Sequence, residues 1–201
     1  MLYMKILVFS DIHGAIEPLE KMISIFENEK YDLMLIAGDF LNHGPRNGLP
    51  PNYDPKKCAE LLNRYGDKIV CVRGNCDSEV DQMMMTFPVL CETTQLFFKS
   101  DCATSTSTST STSTATATAM RIFMHHGHRY DYESVEKMLP PSDDKSKTIV
   151  LSGHTHIPVL EEKDGYIFLN PGSITFPKGG SKAGYAKIET ESCKIELCEL
   201  K

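Results

Sequence analysis

Tryptophan is absent from this chain of 201 residues, and aromatic residues make up only 8% of it. Basic residues are outnumbered: Lys and Arg total 21 against 27 Asp and Glu, a net charge of −6. A long nucleic acid needs a broad basic face, and a single strand needs aromatics to stack on; neither is supplied, so only a local basic pocket is left. No apolar run approaches the roughly 18–20 residues that a bilayer span requires, so no membrane partner is expected. The first apolar stretch runs straight into Asp11-Ile12-His13-Gly14, and reads as a strand rather than a cleaved leader.

A Cys-x-x-Cys unit is missing as well. The seven cysteines (58, 71, 76, 91, 102, 193 and 198) are an odd number and cannot all pair within one chain. That argues against a secreted disulfide framework and against a thiolate zinc site, and makes a reducing, cytoplasmic compartment the expected one.

What is present is ordinary globular usage, with 41% hydrophobic and 24% charged residues. At about 150 residues per domain the length suits one domain over residues 1–201, large enough to bury its own core. Met4 to Phe9, Leu33 to Ala37 and Lys68 to Val72 are short apolar runs suited to strands buried on both faces. Between them, Ile16, Leu19, Ile23 and Phe26 fall at helical spacing, and Asp54-Pro55 starts a second helix that runs to about Tyr65. Strand, helix, strand, helix, strand implies a parallel sheet carrying helices. Further strands are expected at 95–99, 121–125, 148–151, 159–162, 166–169, 184–189 and 193–200. A second, partly antiparallel sheet collects them, giving a layered α/β sandwich. Between the halves, Ala103 to Ala119 is a low-complexity Ser/Thr/Ala repeat with no apolar face, read as a solvated loop inserted at a hairpin tip.

Each strand end is followed by polar residues that a core does not need. Asp11 and His13 follow the first strand, and being two apart they point the same way in an extended chain. Gly38-Asp39 and Asn42-His43-Gly44 follow the second, and Gly74-Asn75-Cys76-Asp77 the third. Later come His125-His126-Gly127-His128 and Gly153-His154-Thr155-His156. Seven candidate ligands (Asp11, His13, Asp39, Asn75, His126, His154 and His156) are too many for one ion and suit two that share a bridge. Asp39, with two carboxylate oxygens, is the best bridge. This donor set suits divalent transition metals better than calcium. His125 is assigned to the outer face of its strand, Asp77 to bracing a loop, and Asn170 and Ser173 to a turn under the site. Met83-Met84-Met85 is read as core packing at a helix end. Arg46, close to Asp39 in sequence, is a candidate contact for a substrate phosphate.

The order Asp-x-His, Gly-Asp-x-x-x-x-Gly, Gly-Asn-x-Asp, His-Gly, Gly-His-x-His resembles that of the calcineurin-like metallophosphoesterases. The stretches 38–47, 73–83, Asn170-Pro171-Gly172-Ser173 and Pro177-Lys178-Gly179-Gly180 are similar to the small YfcE-type phosphodiesterases. The resemblance implies a four-layer α-β-β-α sandwich of two mixed sheets flanked by helices, and phosphoester hydrolysis. It implies one metal on Asp11, His13, Asp39 and His156, and another on Asp39, Asn75, His126 and His154. Manganese is the expected ion, with zinc, iron, nickel or magnesium as alternatives, and the resemblance also points to self-association into a homo-oligomer. Two ions about 3.5–4 Å apart would activate a bridging water for in-line attack on phosphorus.

One position departs from many relatives. Where they carry His after the Asn of Gly-Asn-x-Asp, thought to protonate the leaving group, this chain has Cys76. The acid is then missing, supplied by His43 or His128, or unnecessary for good leaving groups. A small phosphodiester is the expected substrate. The alternative is a non-catalytic scaffold like the retromer subunit that shares this fold. In that subunit some ligand positions are altered, whereas all seven here carry competent types.

Overall fold

The computed structural model describes residues 3–100, 118–139 and 145–201. Its first half contains β1 (Lys5–Phe9), α1 (Ile16–Asn28), β2 (Leu33–Ile36), α2 (Pro55–Asn63), β3 (Ile69–Cys71) and the short α3 (Glu79–Met84). Pro55 sits in the first turn of α2, and Asp54 caps it by accepting the Lys57 N–H at 3.0 Å. Such a cap contributes about 1 kcal/mol. The helix stops at Asn63, short of the expected Tyr65, and Gly66 begins a 3-10 turn that leads into β3. Helix α1 closes through Lys30, whose φ is 56°. The Tyr31 N–H returns to the Phe26 carbonyl at 3.0 Å and the Lys30 N–H to Glu27 at 3.3 Å, a Schellman closure over stacked Phe26 and Tyr31 rings.

The second half contains β4 (Thr93–Ser100), β5 (Thr118–His125), α4 (Tyr132–Met138), β6 (Thr148–Leu151), β7 (Val159–Lys163), β8 (Tyr166–Asn170), β9 (Gly184–Glu189) and β10 (Lys194–Glu199). β4 and β5 pair antiparallel, with Ser100 opposite Thr118. The loop expected over the Ser/Thr repeat lies outside the described residues, except that Thr118 and Ala119 already belong to β5. Among the described cysteines, Cys58, Cys71, Cys76, Cys91 and Cys198 are free and Cys193 is disulfide-bonded.

The strands form two mixed five-stranded sheets, ordered β10-β9-β1-β2-β3 and β4-β5-β6-β8-β7. One expectation is corrected here. The last two strands do not join the second sheet: β9 runs antiparallel to β1, and β10 to β9, within the first. Alternation of apolar residues specifies which faces are buried, not which sheet a strand joins.

The same alternation builds the layers. Leu7 and Phe9 of β1 face Leu19, Met22 and Phe26 of α1 and Cys58 and Leu62 of α2. Ile6 and Val8 face the other way, into an inter-sheet core with Leu35, Ile122, Met124, Ile149 and Leu151. These four apolar side chains of β1 are fully buried, while Lys5 is exposed, each buried one worth about 1.5–3 kcal/mol over exposure. Phe123 and Val150 on the outer face of the second sheet pack against Val135 and Leu139. The outcome is the four-layer α-β-β-α sandwich. The methionine run is corrected: Met85 enters the core, but Met83 is 84% exposed and Met84 38% exposed, because α3 lies on the surface.

Candidate metal centre

The C-terminal ends of β1, β2, β3, β5 and β6 meet at one edge of the sandwich, and the loops that leave them are bonded across both sheets. Asp11 N–H donates to Gly38 at 3.1 Å and His13 N–H to Asp39 at 3.0 Å, joining the first two loops. Gly153 N–H donates to the His126 carbonyl at 2.9 Å, joining the loops after β5 and β6. Across the gap between the sheets, His154 N–H donates to Asp11 Oδ2 at 3.1 Å.

Five candidate ligands hold the left-handed conformation that side chains other than glycine avoid. Asp11, His13, Asp39, His154 and His156 have φ of 58°, 50°, 58°, 64° and 61°. Each costs about 1–2 kcal/mol relative to an ordinary conformation. The surrounding loops hold that strain. Asp77 is buried beneath them and accepts three backbone N–H groups, from Asp39 (2.9 Å), Phe40 (2.8 Å) and Gly74 (2.7 Å). Ser173 Oγ donates to the Asp11 carbonyl at 2.9 Å, and Asn170 Nδ2 to the Gly153 carbonyl at 2.7 Å. These contacts are the bracing roles read for Asp77, Asn170 and Ser173. Gly74 is required as well, since a Cβ there would collide with the Asp39 carboxylate.

Three imidazoles are oriented in the same manner. His13 Nδ1 donates to the Asn42 carbonyl at 2.8 Å, His126 Nδ1 to Ala37 at 2.6 Å and His156 Nδ1 to Phe176 at 2.7 Å. Each bond turns Nε2, with its lone pair, toward the carboxylates. Asp11 Oδ1 lies 3.1 Å from His156 Nε2 and 3.6 Å from His13 Nε2. Asp39 Oδ2 lies 3.4 Å from His126 Nε2 and 3.8 Å from His13 Nε2. Asn75 Oδ1 lies 3.2 Å from His126 Nε2, and the His154 ring is 5.2 Å from that of His126. All seven predicted ligands are therefore gathered in one place.

Acceptors meet acceptors here, which is unstable without positive charge between them. Asp11 Oδ1 is buried and has no hydrogen-bond partner among the described residues, and two nitrogens, His13 Nε2 and His156 Nε2, face each other at 3.4 Å. A cation resolves both. In the metal-free protein protons must serve. Burial alone would lower the His126 pKa, but the Asp39 carboxylate beside it raises it to about 9. His13 is raised likewise by Asp11 against its own burial. Asp11, which burial would push up, is held well below the usual carboxylate range by His13 and His156. Three donor groups close enough to hold an ion follow from this packing: Asp11 with His13 and His156, Asp11 with Asp39 and His126, and His13 with Asp39 and Cys76. The residues fit divalent metal.

The remaining predicted positions lie around this centre. A cleft of about 730 Å³ opens above it, lined by Arg46, Cys76 and Lys178 among others. Lys178 was not singled out as a substrate contact by sequence reasoning, although it stands in the Pro-Lys-Gly-Gly stretch that carries part of the resemblance. His43 is flanked by the cleft residues Asn42 and Gly44, but its ring packs edge-on against Tyr53. His128 stands beside the centre, its ring 5.3 Å from His126 and 6.1 Å from His154. Burial and the His126 charge lower its pKa. His125 points to the outer face, between Phe123 and Tyr130, and burial lowers its pKa to about 4. Burial, and then the nearby Asp39, push the Cys76 thiol up to about 12.

Residues 4–193 match the family model described as a calcineurin-like phosphoesterase superfamily domain. A relative named phosphodiesterase YfcE, from Escherichia coli K12, is 36% identical over 192 residues, covering 96% of this chain and 91% of the relative. The solved structure of the E. coli Yfce phosphoesterase superposes with a TM-score of 0.75 at 35% identity, covering 98% of this chain and all of that one. Vacuolar protein sorting 29 from Cryptosporidium parvum shares the fold, with a TM-score of 0.61 at 18% identity over 98% of this chain and 97% of that one.

Proposed function

Because the chain belongs to the calcineurin-like phosphoesterase superfamily, we propose that it is a metal-dependent phosphodiesterase hydrolysing a small phosphodiester. The observation that carries the reading is the convergence of three Nε2 atoms on two buried carboxylates, one of whose oxygens has no other partner among the described residues.

Asp11, His13, Asp39, Asn75, His126, His154 and His156 would hold two divalent ions, manganese being the first to test. Bound there, such ions would polarise the phosphoryl oxygens and lower the pKa of a water toward neutrality. The chain's own residues do the rest. The backbone bonds from Asn42, Ala37 and Phe176 keep the imidazoles in one tautomer, so no reorganisation is needed when charge develops. Asp39, whose Oδ2 faces both His13 and His126, would serve as the bridge. Arg46 and Lys178 line the cleft and would take the oxygens of the bound ester.

Neither Cys76 nor His128 is a ready proton donor. The Cys76 thiol holds its proton up to about pH 12, and His128 is shifted toward the neutral imidazole. A leaving group that departs without protonation is therefore favoured, which suits diesters with acidic leaving groups. The scaffold alternative expects ligand positions to be lost, and all seven retain competent donors.

The test is hydrolysis of a bis-aryl phosphodiester beside its monoester. Metal-stripped protein would be supplied with manganese, zinc, nickel or magnesium in turn. Metal-dependent diester cleavage, lost together with bound metal in Asp39→Asn, is expected. Metal binding without turnover of either ester would reject this substrate class, and normal turnover by Asp39→Asn would reject the shared bridge.

A further inference from the structure

The third donor group contains a sulfur that the two-metal reading does not use. The Cys76 Sγ, a His13 ring nitrogen and an Asp39 carboxylate oxygen all lie within 4.8 Å of one another. This placement is built, not incidental. Asp39 Oδ1 accepts the Cys76 N–H at 2.8 Å, so the carboxylate that faces His13 and His126 also anchors the backbone of the cysteine. Asn75 Nδ2 donates to Sγ at 3.2 Å. On its other side Sγ meets Gly44, where a Cβ would come within 3.0 Å of it. Cys76 lines the cleft, so an ion or its water reaches the sulfur directly.

Carboxylate, amide oxygen and imidazole accept many divalent ions, and such a set discriminates poorly between them. A thiolate does discriminate, since it favours zinc, cobalt and cadmium over manganese and magnesium. We propose that Cys76 is a sulfur ligand for thiophilic divalent ions, acting with His13 and Asp39, so that the centre binds these ions with a thiolate and binds manganese or magnesium without one. The step forms a metal–sulfur bond and breaks the S–H bond, the proton passing to solvent, with no electron transferred. A residue that lines the substrate cleft is thereby drawn to the metal for one class of ion and left as a neutral wall for the other. The inference rests on the metal centre proposed above.

Cadmium alone is the probe, added to the metal-stripped full-length chain and read by the sulfur-to-metal charge-transfer band in the ultraviolet. The expected result is a band that saturates with a bound cadmium ion and does not appear with manganese. It should vanish in Cys76→Ser, with cadmium affinity falling about tenfold or more, and persist in Cys91→Ser, which removes an exposed free thiol. Cys76→Ala repeats the test without an oxygen that could itself bind the ion, and thermal unfolding of both variants shows whether the fold is kept. A band that survives in both folded Cys76 variants overturns the proposal, as does stoichiometric cadmium binding to the unaltered chain with no band. Failure of the chain to bind any divalent ion would overturn this inference and the metal centre together. Manganese-dependent diester cleavage by a chain that gives no thiolate band with cadmium would overturn this inference alone.

Discussion

His126 Nδ1 donates to the carbonyl oxygen of Ala37 at 2.6 Å, and the two residues follow strands of different sheets. Ala37 follows β2 in the first sheet and His126 follows β5 in the second. One hydrogen bond therefore ties the halves of the sandwich together at the site and decides which nitrogen of His126 faces Asp39.

The charge on His126 gives a pH prediction. Its pKa in the metal-free fold is about 9, against 6.5 as the reference value. A raised value contributes stability that is fully present below about pH 6.5 and is lost as pH rises through about 9. Metal-free protein should lose stability over that window. Metal binding requires the neutral ring, so it should release a proton from His126 at neutral pH and none from it above about 9. Calorimetric titration in buffers of different ionisation enthalpy measures the release; a proton count independent of pH across this window would contradict the assignment.

Lys30 lies far from the site, in the left-handed closure of α1. Lys30→Gly should stabilise the fold by about 0.5–1 kcal/mol, since relief of the strained backbone exceeds the added freedom of the unfolded chain. Urea unfolding would show it as a raised midpoint with unchanged slope.

Arg46 and Lys178 line the cleft as exposed cations. Arg46→Ala and Lys178→Ala should each raise KM for a diester about tenfold, the worth of one charge-assisted hydrogen bond, with kcat little changed. Steady-state kinetics separates the two parameters. A loss confined to kcat would instead place the cation on the transition state.

Cys76→His introduces an imidazole where the thiol holds its proton. Monoester turnover should rise relative to diester turnover, on the order of tenfold, because the poorer leaving group gains more from a general acid. An unchanged ratio measured with paired aryl esters would remove position 76 from leaving-group chemistry.

Much of this arrangement is legible in the chain itself. The apolar runs at β1, β2 and β3 are too short for helices and too apolar for exposed strands, and the polar residues beyond them stand where strand ends converge. Helices α3 and α4 escape a periodicity reading because they span only six and seven residues, yet both carry cap signals. Ser78 and Asp81 form a reciprocal capping box, and Asp131 caps α4 through the Ser134 N–H at 2.9 Å. The sheet joined by β9 and β10, the contact of His43 with Tyr53 and the arrival of Lys178 at the cleft depend on tertiary placement. No local spacing encodes them. Nor does any residue pattern announce that five candidate ligands sit at positive φ, since Asp and His, although enriched there, carry no signal as strong as glycine's.

The pairing of β9 with β1 has a consequence for how the chain is made. Ile6 pairs with Ile188, so the strand that leads into Asp11 and His13 waits until residue 188 has been made before its second edge is covered. Until then an apolar strand stands open beside a ribosome, available to neighbouring chains. A product that ends before residue 184 would lose β9 and β10 and leave β1 an unprotected edge, so release from synthesis, rather than the chemistry of the cleft, is where early termination would be felt first.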